Sequence, residues 1–444
     1  MSTSALIDWA VSRGATLSGV TVDHHPQAGR LLRATEHLPA DQEVLRVPPS
    51  ALLSLEVARR SPAGQAILSS CREMPPASAF LTAYLLSEKK KSKSAIQPYL
   101  DALPSAFPTV PLFCPQDVLP YLRGSLVSGL VVKRRDAVLR EVLELRRTVP
   151  ALRDATVAEL FWASTVVITR VFGITVRGSA TEALVPIADM MNHKRPPDVS
   201  WTFDDASDAF VIRTVRDIAA GEEVCGSYGR KANHRYFVHY GFALPSGADD
   251  EAELVLTMPP NAPNAAAKSA GLRRAFGTES NYRICSRVRV DATQRTLSFF
   301  RTACAIGSET GRALRFLRDG DLVPPLSHRN EAAALSMLHT ACGESLSRFD
   351  SPHESEDESI LERTDLPIQV RHAVVVRRGE KRLLHAWRRL TDTAVDMLRT
   401  PRKTFFARAV NHRGEGLVTS YLTDVAMALA PKDARRISMA DLGL

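Results

Sequence analysis

The spacing of hydrophobic positions changes several times along this chain. Leu6, Ile7, Trp9, Ala10 and Val11 form the apolar part of a short helix that Gly14 ends. Val20 and Val22 then alternate. After a Pro26-Gln27-Ala28-Gly29 turn come Leu31 and Leu32, then Val44, Leu45 and Val47, divided by a turn at Pro39-Ala40-Asp41. These runs predict strands. From about 55 to 180 the period becomes helical, with Phe80 and Tyr84, Leu81 and Leu85, Val138, Val142 and Leu145, then Val157, Phe161, Ser164 and Ile168. Gln97-Pro98-Tyr99 and Leu103-Pro104 bound a connector between these helices.

Residues 181–245 return to strands. Val199, Trp201 and Phe203 alternate, a polar turn follows, and Phe210 and Ile212 complete a hairpin with one buried face. The polar stretch 245–250 is the best domain boundary. Beyond it Leu335, Leu338, Cys342, Leu346 and Phe349, and again Trp387, Leu390, Ala394 and Leu398, keep helical spacing. The acidic residues 353–358 read as a loop by composition. Lys403-Thr404-Phe405-Phe406 fit no element, and the chain shows no internal repeat.

Composition narrows the classes. A length of 444 residues allows two or three domains, and 45% hydrophobic with 24% charged residues excludes global disorder. The net charge of +8 steers acidic partners towards the chain. The longest basic run, Lys89-Lys90-Lys91-Ser92-Lys93, holds no aromatic for base stacking, so no nucleic acid is expected. The six cysteines lie at 71, 114, 225, 285, 304 and 342, with no Cys-x-x-Cys pair, so no metal site is expected and the thiols read as buried apolar residues of a reducing compartment. Arg170 splits the best apolar run, and no basic segment leads into an apolar one at the N-terminus. The expectation is a monomer in the cytoplasm or nucleus, with no membrane contact.

The candidate chemistry lies in Ala183-Leu184-Val185-Pro186-Ile187-Ala188-Asp189-Met190-Met191-Asn192-His193, followed by Gly221-Glu222-Glu223-Val224, Tyr228-Gly229 and His239-Tyr240-Gly241-Phe242. An apolar strand closed by Asn-His, a hairpin, a Gly-Glu-Glu turn and a Tyr in this order resemble the SET-domain protein methyltransferases. The matching branch holds the Rubisco large-subunit lysine methyltransferases and the actin-histidine methyltransferases. Arg371 to Leu384, with Arg378-Gly379-Glu380-Lys381, extends the resemblance to about residue 400.

That resemblance implies an α+β fold. A SET β-fold with pseudoknot-like threading would occupy 1–245, carrying a helical insertion at about 55–180. An all-α substrate-binding domain would follow at 250–400, with 401–444 an unassigned tail. It implies S-adenosylmethionine as cofactor and a folded protein as partner, which the net charge favours as an acidic one. Methyl transfer from a sulfonium is an in-line displacement that needs positioning and exclusion of water more than a strong base. By resemblance Tyr228 is the catalytic Tyr. Arg33, Glu88, Lys89, Arg170, Asp189, Met190, Met191, Asn192, His193 and Tyr240 would contact the cofactor, with Phe172, Ala188 and Tyr228 shaping the acceptor pocket. The histidine-methylating relatives carry Asn and Trp where this chain has Phe172 and Ala188. A small residue and an aromatic face suit a long alkylammonium, so the reading is lysine, with histidine the nearest rival. Gly29-Arg30-Leu31 departs from the family's Gly-x-Gly. Leu31 supports a third reading, a SET-derived binding protein without catalysis, against which stand the intact Tyr228, Asn192 and His193.

Overall fold

The computed structural model describes residues 3–25, 29–70, 73–113, 116–277, 281–401, 404, 407–408 and 416–429. The turn at 26–28, Cys71, Cys114 and most of the tail, including Lys403, Phe405 and Phe406, lie outside the described residues. The chain forms two compact units, residues 1–113 with 131–230 and residues 114–130 with 231–444. The polar stretch 245–250 therefore lies inside the second unit.

Among the described residues of the first unit, ten strands make three small antiparallel sheets. The strands are β1 (Thr16–Leu17), β2 (Val20–His25), β3 (Gly29–Ala34), β4 (Glu43–Val47), β5 (Leu53–Ser54), β6 (Val171–Val176), β7 (Ser179–Leu184), β8 (Val199–Asp204), β9 (Ala209–Thr214) and β10 (Glu223–Val224). Their orders are β1-β4-β9-β8, β10-β3-β2 and β5-β7-β6. Position within the sheet explains the sequence pattern. β8 is an edge strand and alternates, with Val199 and Phe203 buried and Ser200 and Thr202 exposed. β9 is paired on both sides and buries Ala209, Phe210, Val211 and Ile212 in succession. Asp204 closes the turn between them by accepting from the Ala206 N–H at 3.1 Å and the Ser207 hydroxyl at 2.5 Å. The β6–β7 hairpin turns on Arg177 and Gly178, both at positive φ, the geometry that suits a two-residue hairpin.

The block expected at about 55–180 holds the helices Leu55–Arg60, Pro62–Ser70, Ala77–Lys89, Leu126–Thr148 and Val157–Arg170; Gln97–Ala102, expected as part of a connector, is also a helix, and from Val171 the block gives way to the strands β6 and β7. Thr156 and Glu159 form a capping box that starts Val157–Arg170, with the Glu159 N–H donating to the Thr156 hydroxyl at 3.2 Å and the Thr156 N–H to Glu159 at 2.7 Å. The helix runs straight into β6, so Arg170 ends it and Phe172 sits two residues later on a strand.

The second unit is helical around its own core, which includes Phe300, Leu338, Trp387, Leu390 and Tyr421. Two expectations are corrected here. The domain is not strictly all-α, because β11 (Glu251–Val255) and β12 (Asn281–Cys285) pair as an antiparallel ribbon. Ala252 and Leu254 bury one face of that ribbon, too few positions to stand out as a strand. Residues 353–358 are not a loop, because Glu354–Glu362 is a helix. Three acidic residues in its first turn complement the helix dipole, and Asp357 is buried against Arg377 and Lys381. No described helix is long and apolar enough to cross a membrane.

A candidate active site where two segments cross

The apolar strand β7 ends at Leu184, eight residues before Asn192, so Asn192-His193 does not close it. The chain bends at Ile187, whose φ of 73° is unusual for a β-branched residue. One turn of 3-10 helix, Ala188–Met190, follows. The bend is held by the Asp189 N–H on the Val185 carbonyl at 3.0 Å and the Met190 N–H on the Ile187 carbonyl at 3.0 Å. Asp189 therefore sits in a helical turn rather than on a strand.

The second segment leaves β10 and runs alongside the first. β10 pairs with β3, placing Glu223 opposite Arg33 and Val224 opposite Leu32. The Gly226 N–H then donates to the Asn192 carbonyl at 3.0 Å, and the Lys194 N–H donates to the Gly226 carbonyl at 3.0 Å. His193 and Gly226 thus form a parallel bridge. This passage of one segment between β3 and residues 192–194 is the expected threading.

Asp198 ties the crossing from beneath. Its buried carboxylate accepts from Lys194 at 2.9 Å, Arg216 at 2.6 Å and the Cys225 N–H at 3.0 Å. Burial alone would raise this carboxyl, but the bonds from Lys194, Arg216 and Cys225 outweigh it and hold it below the usual range. Sequence reasoning missed Asp198. The available signal was an acid after Pro196-Pro197 at the mouth of an apolar strand.

Tyr228 lies on the crossing. Its hydroxyl donates to the Met191 carbonyl at 2.7 Å and its N–H donates to His193 Nδ1 at 3.1 Å. The two rings stack with centroids 5.3 Å apart. Nδ1 of His193 is thus the acceptor that anchors the Tyr228 backbone. The Asn192 amide donates to Glu223 at 2.7 Å. Met191, Asn192, His193 and Tyr228 are therefore one cluster.

A second cluster adjoins it through residues 188–190. Arg170 donates to the Asp189 carbonyl at 2.6 Å and lies 3.6 Å from its carboxylate and 3.7 Å from the Met190 sulfur. The Tyr99 hydroxyl donates to the same carboxylate at 2.7 Å. Burial pushes the Asp189 carboxyl up, against Arg170 and Tyr99, which pull it down. Burial, then the Asp189 charge, raises Tyr99 well above its ordinary value. The Arg170 Nε is buried with no hydrogen-bond partner among the described residues.

The other candidates fall around these clusters. Arg33 donates to Asp23 at 2.6 Å and to the Gly221 carbonyl at 2.6 Å. Glu88 accepts locally from Lys91 at 2.5 Å and Ser94 at 2.7 Å, and Lys89 lies 4.5 Å above the Trp162 ring. Phe172 packs edge-on against Trp201 and Phe210, both at 5.2 Å between centroids. Ala188 is wholly buried. Tyr240 belongs to the second unit, where it ends the helix Asn233–Tyr240 and packs with Tyr236 and Phe242. Among the described residues no cluster of His, Cys, Asp and Glu is placed to hold a metal.

Comparison with known proteins agrees with this geometry. Residues 29–229 match the SET domain family, and residues 259–384 match the Rubisco LSMT substrate-binding family. Relatives include the actin-histidine N-methyltransferases of Homo sapiens and Gallus gallus, each 26% identical over 397 residues. The alignments cover 85% of this chain and 66% of each relative, so the chain spans just under two thirds of their length. The solved SET domain of LSMT bound to lysine and AdoHcy matches with a TM-score of 0.73 at 20% identity, covering 89% of this chain and 92% of that one. Rubisco LSMT bound to AdoMet matches with a TM-score of 0.72 at 19% identity, covering 93% and 97%. These two likenesses show the shared fold. The chain thus joins a segment that matches the SET domain family, residues 29–229, to one that matches the Rubisco LSMT substrate-binding family, residues 259–384.

Proposed function

We propose that this chain is an S-adenosylmethionine-dependent protein N-methyltransferase with lysine as its acceptor. The observation that carries the reading is Tyr228, bonded through its hydroxyl to the Met191 carbonyl and through its N–H to His193 at the crossing.

The residues present fit the cofactor. Arg170 keeps a buried donor without a partner among the described residues, as a site for a carboxylate requires. The Asn192 amide and the His193 backbone suit the polar nucleoside. When bound, the cofactor supplies a methyl group activated on a sulfonium. Tyr228 and the Met191 carbonyl line up the acceptor, and the buried residues 187–191 exclude water. A free lysine is neutral in only about 1 in 2,500 molecules at pH 7, so partial burial beside a positive sulfonium favours the reactive form. The His193 ring, held as an acceptor by the Tyr228 N–H, is an orienting group rather than a base.

Phe172 and Ala188 favour lysine over histidine. Phe172 offers an aromatic face backed by Trp201 and Phe210. A Trp at the wholly buried position 188 would overpack it, so this pocket is built around a small residue. Histidine remains the second reading because the relatives at 26% identity are actin-histidine N-methyltransferases. We further propose that the second unit recruits a folded, acidic protein and that the monomer acts in the cytoplasm or nucleus, without nucleic acid or membrane. Incubating the chain with labelled cofactor and lysate, then mapping the modified residue by mass spectrometry, tests the reading. Label on histidine alone would remove the lysine assignment, and no labelled protein would remove the activity.

A further inference from the structure

Arg30 and Arg33 stand three residues apart on β3, so strand alternation sends them to opposite faces of the ladder. Arg33 lies opposite Thr21 and Glu223 and gives its guanidinium to Asp23 and the Gly221 carbonyl. Arg30 shares the other face with Leu32. It is half-buried, and its one hydrogen bond among the described residues is a long one, from Nη2 to the Asp101 carbonyl at 3.4 Å. The charges that bear on it are Arg170, which repels, and Asp189, which attracts.

This arrangement holds more donors than acceptors. β3 packs against residues 188–190, so the charges of both Arg30 and Arg170 bear on the Asp189 carboxylate, which already accepts from Tyr99. Arg170 still has a buried Nε with no partner among the described residues. Burial, then the Arg170 charge, weaken the hold of Arg30 on its proton. Beside Arg30, Gly29 adopts a φ of 74° and faces open space. Like charges gathered in a half-buried place with unused N–H groups call for an anion. A guanidinium fork matches a carboxylate best.

We infer that Arg30 is a cofactor-binding residue of this chain and that, with Arg170, it holds the carboxylate of the cofactor's amino-acid end. The inference rests on the proposed use of S-adenosylmethionine and adds a residue that its sequence reading passed over. Arg33, saturated by Asp23 and Gly221, then serves to fix β3 against β2 and residue 221.

Calorimetry on the full chain separates the possibilities with two probes, S-adenosylhomocysteine and 5′-methylthioadenosine, which keeps the nucleoside and thioether but lacks the carboxylate. Arg30→Gln is expected to weaken S-adenosylhomocysteine binding about tenfold or more, as for a lost charge-assisted bond. It should leave 5′-methylthioadenosine within about twofold. Arg30→Lys should recover part of the loss. Without ligand, the melting temperature of Arg30→Gln should be unchanged or higher, since a repulsion is removed. Unchanged S-adenosylhomocysteine affinity in Arg30→Gln, or an equal loss for both probes, would overturn the inference and leave the proposed function standing. Failure of the unaltered chain to bind either probe would overturn both.

Discussion

Two buried carboxyl groups, one in each compact unit, meet opposite fates. Asp198 in the first unit receives three donors, two of them cations, and stays ionised. Among the described residues, Glu380 in the second unit receives only the Ser125 hydroxyl at 2.7 Å and the Leu126 N–H at 3.3 Å. Burial drives its carboxyl up to about 8, assisted by Asp250 and Glu253 and only partly opposed by the two donors. Both are shut off from solvent, but Glu380 is packed more deeply and has no cationic donor among the described residues, whereas Lys194 and Arg216 offset the burial of Asp198. The first unit uses its buried acid as a fixed anion that ties two threaded segments. The second carries a neutral acid in the wall of a cavity of about 300 Å³, together with Glu253, Ser345 and Phe349.

The largest effect that could break this contrast is at Asp198. Asp198→Ala removes the anion that Lys194, Arg216 and Cys225 share. Losing one partner of a buried ion pair costs about 3–5 kcal/mol, nearer the lower figure here because Lys194 and Arg216 are partly exposed and can turn to water. Denaturant unfolding measures the loss. Because its folded carboxyl sits below the unfolded value of 3.8, the contribution of Asp198 is present above that pH and fades as the pH falls through the folded value. Asp198→Ala should therefore differ most from the natural chain at neutral pH. A loss well under 1 kcal/mol at pH 7 would mean that the crossing is held by its backbone bonds alone.

Tyr228→Phe comes next. One hydroxyl is removed from the Met191 carbonyl while the His193 contact, made by the backbone N–H, survives. Methyl transfer should fall roughly 10- to 1,000-fold, with cofactor affinity and fold kept, since one positioning bond supplies a few kcal/mol in the transition state. Full activity on the mapped substrate would show that Tyr228 is not the aligning group.

The contrast also marks what could be read without coordinates. The Asn192-His193 and Tyr228 cluster and the β8–β9 hairpin were legible, because the one depends on residue order and the other on an alternating edge strand. Asp198 was not, since its importance comes from Lys194, Arg216 and Cys225 converging across the crossing. Arg30 was hidden for a related reason. Its position beside Leu31 read only as a departure from Gly-x-Gly, and strand alternation told its face from that of Arg33 only once the β2–β3–β10 pairing was known. The helix Glu354–Glu362 was misread because its acidic composition mimics a loop while Asp357 is paid back by Arg377 and Lys381, distant in sequence.

Glu380→Gln sharpens the comparison from the other side. The folded carboxyl at about 8 lies above the unfolded 4.5, so its contribution is fully present below pH 4.5 and is lost as the pH rises through 8. The amide cannot ionise and keeps an acceptor for Ser125. Glu380→Gln should match the natural chain within about 1 kcal/mol at pH 5 and exceed it by more than about 2 kcal/mol at pH 9, up to the ~5 kcal/mol that the whole span from 4.5 to 8 would give. Equal stability at both values would mean that water or a cation in the cavity already compensates the ionised acid.

The smallest expected effect concerns how the first unit delivers Arg170. The helix Val157–Arg170 starts at the Thr156–Glu159 capping box and ends at the guanidinium beside Asp189, so the two ends lie about 20 Å apart at 1.5 Å per residue. Thr156→Ala should cost about 1 kcal/mol, the usual loss of a helix cap. It should leave cofactor affinity unchanged, because fraying is confined to the first turn while Leu160, Ala163, Val166 and Val167 anchor the rest in the core. Thermal unfolding measures the first quantity and calorimetry with S-adenosylhomocysteine the second. If affinity fell with stability, Arg170 would depend on the whole helix, and the binding cluster would be as globally coupled as the ion-paired Asp198 crossing. If affinity held, local packing at the helix end and the bond to the Asp189 carbonyl would suffice to keep Arg170 in place.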